Sequence, residues 1–129
     1  MAAHENEQAL RYALKFFEDE GKWEHKNLSG TGLNGSLCIG AVLMRARATV
    51  RHEDAGVWGW DGVWLSKVLQ LGKGTASVWN DTVCPDIEAL RRKLKSRIAY
   101  YEQERLRRTY IAVVILGPGQ NVRRVISHG

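Results

Sequence analysis

The residues with the most chemical potential stand in Ser36-Leu37-Cys38-Ile39-Gly40-Ala41. A cysteine in the first turn of a helix feels the positive end of the helix dipole, which favours the thiolate and hence a nucleophile. A cysteine-dependent hydrolase centred on Cys38 would need a histidine base from elsewhere in the chain. The later histidines are His52, in a polar turn, and His128, one residue from the last position. Neither lies on a strand following the helix, and no oxyanion-hole pattern accompanies them. Cysteine is also among the most buried residue types, so the favoured reading of Cys38 is a structural thiol.

Two other groups of residues point to binding. Four of the five tryptophans, Trp58, Trp60, Trp64 and Trp79, fall in one stretch. Trp58-Gly59-Trp60, in a glycine-bearing loop, can offer an aromatic platform to a protein partner, whereas Trp64 and Trp79 read as core. The second group is basic. The formal net charge is +5, yet residues 1–84 hold 9 basic and 10 acidic side chains and residues 85–129 hold 10 basic and 4 acidic. Arg91, Arg92, Lys95, Arg105 and Arg108 are the binding candidates of that region, with Arg123 and Arg124 beyond them. Such a face can neutralise phosphates, which makes a nucleic-acid-binding accessory protein the alternative to a protein-binding one. Glu102 and Glu104 interrupt the run, and no recognised nucleic-acid motif accompanies it.

Metal and cofactor chemistry has little support. Cys38 and Cys84 lack ligand spacing, and His4, His25, His52 and His128 form no HxxxH or HxH pattern. No metal and no cofactor is expected. The glycines of Asn27–Gly35 lack the Gly-Lys-Ser/Thr of a phosphate-binding loop, so they read as a connection. Asn80 and Asp81 read as turn and cap residues, because no second carboxylate stands at a pairing distance in sequence.

The elements that must position these residues are mainly helical. Leu10, Ala13, Leu14 and Phe17 predict a helix over Glu5–Glu20, stopped by Gly21, with Tyr12 and Phe16 widening its core face. Ser36 is placed to cap a second, buried helix through Val50, whose Gly40 and Ala41 allow close approach of another helix. Asp61 is placed to cap a third, ending near Gly72, and a loop follows through Trp79-Asn80-Asp81. Ile87, Leu90, Leu94, Ile98 and Tyr101 predict a fourth helix over Pro85–Arg108, with Pro85 at its first position. Tyr110–Leu116 is rich in β-branched residues, Gly117-Pro118-Gly119 makes a turn, and Asn121–Ile126 follows. A strand or hairpin is expected there. Its free edge offers a route to a homodimer through residues 110–126.

The length of 129 residues suits one domain, with a helical core over 5–108 and a strand or hairpin extension over 109–129. The first residues lack the basic and apolar blocks of a secretory signal. The apolar stretches Leu37–Met44 and Tyr110–Leu116 are too short to span a bilayer. A cytoplasmic protein with reduced thiols and no membrane association is therefore expected, a Cys38–Cys84 disulfide being the alternative.

The N-terminal helix, Cys38-Ile39-Gly40-Ala41 opening an apolar helix, and Trp79-Asn80-Asp81 before a helix rich in arginine and leucine resemble a family of small uncharacterised proteins of actinobacteria and their bacteriophages. The resemblance covers about residues 5–101. Thr82-Val83-Cys84-Pro85 stands where the family often has a Pro-Gly turn, and residues 110–129 have no counterpart in it. What it implies is a phage or bacterial accessory protein, with no reaction attached.

Overall fold

The computed structural model describes residues 2–19, 22–25, 37–53 and 60–116. Five α-helices appear among them: α1 (Ala2–Phe16), α2 (Ile39–Val50), α3 (Gly62–Leu69), α4 (Ala76–Val78) and α5 (Ile87–Leu116). A π-helical segment, Trp79–Val83, follows α4 directly. The described fold is thus mainly helical, as expected, but it departs from the expected scheme at both ends of several helices.

α1 lies between α2 and α5 and packs along both. Leu10, Ala13 and Phe17 meet Ile39, Val42 and Leu43 of α2 and Leu90, Leu94 and Ile98 of α5 in one core, which Leu65, Val68 and Leu69 of α3 close. Leu14 and Phe16 pack against this core from its margin, whereas Tyr12 is exposed rather than part of the core face. α1 stops at Phe16, short of Gly21, and Arg91 of α5 holds the two carbonyls that follow its end. Arg91 Nε donates to Phe17 O at 2.9 Å and Nη2 to Glu18 O at 2.8 Å. A guanidinium at the negative end of a helix is well placed by charge as well as by hydrogen bonding.

Beyond α1 the chain extends, and Trp23 forms an isolated parallel bridge with Leu37. Leu37 N donates to Lys22 O at 2.8 Å and Glu24 N to Leu37 O at 2.9 Å. Leu37 is therefore held outside α2, and Cys38 is its cap, in place of the expected Ser36, which lies outside the described residues. Asp61 caps α3 as expected, accepting from Trp64 N at 3.0 Å. That helix ends earlier than Gly72, at Leu69, on a left-handed Gln70 with φ 56°. The expected loop after it contains helix instead. Thr75 Oγ1 accepts from Val78 N at 3.2 Å to start α4, and Cys84 N reaches back to Trp79 O at 2.8 Å to widen the next turn.

The largest correction concerns residues 110–116, which are helix and not strand. Asp86, not Pro85, sets the start of α5, its Oδ1 accepting from Ala89 N at 2.8 Å. The helix then runs for 30 residues, about 45 Å. Extending a formed helix adds a hydrogen bond for each residue fixed, and each β-branched residue costs only tenths of a kcal/mol. No strand exists among the described residues for Tyr110–Leu116 to pair with, so helix is the arrangement that satisfies its backbone. Residues 117–129, including the second half of the expected hairpin, lie outside the described residues.

Candidate functional site

The residues of the two sequence motifs meet at one point, and Asn80 joins them. Its side chain is 0% exposed. Asn80 Oδ1 accepts from Trp23 Nε1 at 2.8 Å and from Ile39 N at 3.0 Å. Nδ2 donates to Glu24 O at 2.9 Å and to Asp81 Oδ1 at 2.8 Å. Three segments distant in sequence are thus fastened by one amide, which uses both its acceptor sites and both its donors. Asn80 was expected to cap a local turn; the π turn instead aims it across the molecule, with Asp81 buried beside it.

Cys38 sits on the other side of that joint. It is 2% exposed, and its Sγ accepts from Ala41 N at 3.4 Å. Burial pushes the thiol above its ordinary pKa, the backbone N–H groups of Ala41 and Gly40 oppose this, and the charge of Asp81 adds to the rise. The dipole advantage expected from a first-turn cysteine is thus outweighed by desolvation. Among the described residues no histidine bonds to Cys38. His52 is exposed in the turn after α2, at φ 58°, and His128 lies outside the described residues. The histidine nearest the joint in sequence is His25, whose ring stacks on Trp23 with centroids 4.3 Å apart and whose Nε2 is buried without a partner. Among the described residues the site fastens three segments of the chain, with the Cys38 thiol buried beside the joint. Cys84 is likewise a buried free thiol, pushed up to about 11 by burial, with Sγ donating to Asp86 O at 3.2 Å.

The tryptophans divide. Trp64 and Trp79 pack against the core, as expected. Trp64 Nε1 donates to Asn6 Oδ1 at 2.9 Å, and Arg47 lies over its ring at 4.6 Å. Trp58 lies outside the described residues. Trp60 is 52% exposed, but one part of its ring rests on α2, where a Cβ added to Gly40 would come within 2.3 Å of Cη2. The small residue thus admits an indole, and not the second helix expected there. Ala41 is half-buried beside it.

The basic helix is engaged in part. Besides its two carbonyls, Arg91 pairs with Glu88. Arg105 pairs with Glu7 at 3.0 Å and Arg107 with Glu104 at 3.3 Å, while Glu102 is taken by Arg11 at 2.6 Å. Arg92, Lys95 and Arg108 are exposed, with no ion pair among the described residues. Lys95 and Arg108 are separated by about 20 Å along the helix. A continuous phosphate-tracking face is therefore not assembled from the candidates.

A feature that periodicity missed lies at the far end of α5. Among the residues of α5 whose exposure is described, Tyr101 is the last buried one, and Leu106, Tyr110, Ile111 and Val114 beyond it are exposed, Tyr110 by 70%. Leu106, Tyr110 and Val114 share the i, i+4, i+8 face of a helix. Because Glu7 of α1 faces Arg105, the start of α1 is used up near this point, and the last turns of α5 run past it.

No group of His, Cys, Asp or Glu among the described residues can hold a metal ion, and no described helix is long and apolar enough to cross a membrane. No protein-family model matches the chain, and neither curated proteins nor solved structures give a match.

Proposed function

We propose that this chain is a non-enzymatic accessory protein, phage- or bacterium-encoded, that docks a protein partner through the end of α5. The observation that carries the proposal is the exposed stripe of Leu106, Tyr110 and Val114, with Ile111 beside it, on a helix that continues past its own core. An amphipathic helix offering apolar residues at i, i+4 and i+8 fits an apolar groove. The expected docking surface, the Trp58–Trp60 loop together with the basic helix, is thereby extended to the apolar end of that helix, Trp58 lying outside the described residues. The nucleic-acid reading loses ground because Arg91 and Arg105 are already committed within the fold. The hydrolase reading loses it because the Cys38 thiol is buried and burial pushes it above its ordinary value.

The test places a photo-crosslinking residue at Tyr110 in cells that produce the protein. An adduct with a defined protein is expected, and Leu106→Glu with Val114→Glu should abolish it. The purified pair should then lose at least about tenfold in affinity on those substitutions. Adducts that persist in the double variant would sink the proposal. Sedimentation of the isolated chain shows whether the partner is a second copy.

A further inference from the structure

A cleft of about 560 Å³ opens between α1, α3 and α5, a volume in the range of small-molecule sites. Arg97 lines it and is only 6% exposed. Its Nε donates to Val68 O at 2.8 Å and its Nη1 to Gln70 Oε1 at 3.1 Å. The guanidinium lies over the rings of Tyr100 and Tyr101, 4.6 and 5.3 Å from their centroids. Nη2 has no hydrogen-bond partner among the described residues, and no carboxylate among them pairs with Arg97. Enclosing a charge without a counter-charge is costly, and carbonyls and aromatic faces compensate it only in part. Lys93, one turn away, is held below its ordinary value chiefly by its own burial, the charge of Arg97 adding to it.

Other side chains of the cleft add to the imbalance. Lys67 and Arg108 line it, exposed and without an ion pair among the described residues. The carboxylate in the lining, Glu104, is engaged by Arg107. Asn6 has its oxygen occupied by Trp64 Nε1, which leaves its amide N–H groups to donate. Positive charge and unused donors therefore line one cleft, with Arg97 and Arg108 about 16 Å apart along α5, a span that an extended, multiply charged oxyanion complements.

We propose that this cleft binds a small phosphate-bearing molecule, its oxygens held by Lys67, Arg97 and Arg108. The site is separate from the α5 docking stripe, and neither reading depends on the other. Calorimetric titration of the full chain with pyrophosphate, adenosine diphosphate and adenosine tests it. Both anions are expected to bind and adenosine is not; pyrophosphate binding as tightly as the nucleotide identifies free polyphosphate as sufficient. Lys67→Ala combined with Arg108→Ala should weaken both anions at least about tenfold and leave the melting temperature unchanged, since both side chains are exposed. Arg97→Ala also removes the cap from α3, so the surface pair is the deciding variant. Absence of binding by both anions, equal binding of adenosine, or parental affinity in the double variant overturns the proposal.

Discussion

At the residue scale, one amide and one missing Cβ carry the joint between the motifs. Asn80→Ala would leave the Trp23 indole N–H, the Ile39 amide and the Glu24 carbonyl without partners. Leaving a buried group unsatisfied costs about 1–3 kcal/mol, so the variant is expected to lose at least about 3 kcal/mol in urea denaturation. Asn80→Asp keeps the acceptor but sets a second carboxylate oxygen against Asp81 Oδ1 and the Glu24 carbonyl, and should cost at least as much as alanine. Gly40→Ala places a methyl against the Trp60 ring, whose far end is free to swing away. A loss of about 1 kcal/mol is expected, together with a red-shifted indole emission, and the loss should vanish on a Trp60→Ala background. The thiols give a third check. At pH 8 a thiol reagent should leave Cys38 and Cys84 unmodified until the chain is unfolded, since both are buried and raised above the ordinary value. Fast labelling of Cys38 in the native protein would revive the hydrolase reading. Residue types pointed to this joint without revealing its nature. Cys38, Asn80 and Asp81 stood out in sequence, but a side chain that bridges three segments leaves no periodic trace, and its role emerges only once the π turn sets its direction.

At the element scale, legibility followed burial. Where one face of a helix meets the core, as with Leu10, Ala13 and Phe17 or with Ile87, Leu90, Leu94 and Ile98, spacing alone located the element. Where a helix runs on without a core, composition pointed the wrong way: Tyr110–Leu116 carries strand-favouring residues and is helix. Helix ends were legible where a side chain caps locally, as Asp61 does, and hidden where a distant residue does the work, as Arg91 does for α1. The helical state of residues 110–116 has a direct test. Ala112→Pro should remove about one turn or more of helical circular dichroism. The melting temperature of the core should not move, because the residues described as buried in α5 end at Tyr101. A strand-like spectrum for the parent segment, insensitive to proline, would contradict the assignment.

At the scale of the whole molecule, part of the basic charge of α5 fastens the fold internally. Glu7, almost buried on α1, receives Arg105 from α5 and Arg11 from its own helix, and Arg11 in turn holds Glu102. These contacts clamp the antiparallel pair at the end opposite Arg91 and Phe17. Burial pushes the Glu7 carboxyl up, but the hydrogen bonds from Arg105 and Arg11 outweigh it and hold it below its ordinary value of 4.5. The unfolded chain therefore takes up a proton at Glu7 before the folded one does. Stability from this group is fully present above pH 4.5 and drains away as pH falls through the lower folded value. Asp61 acts in the same direction, lowered first by the Trp64 amide and then by Arg47. Urea titrations across this acidic range should show stability falling with pH. Glu7→Gln is expected to cost about 1–2 kcal/mol at pH 7 and to flatten the acid slope. Rising salt should weaken the exposed Arg11–Glu102 pair first and leave most of the Glu7 contribution, because only the latter is shielded from solvent. A Glu7→Gln variant that keeps the parental slope would place the acid sensitivity elsewhere and leave Arg105 free to serve a partner.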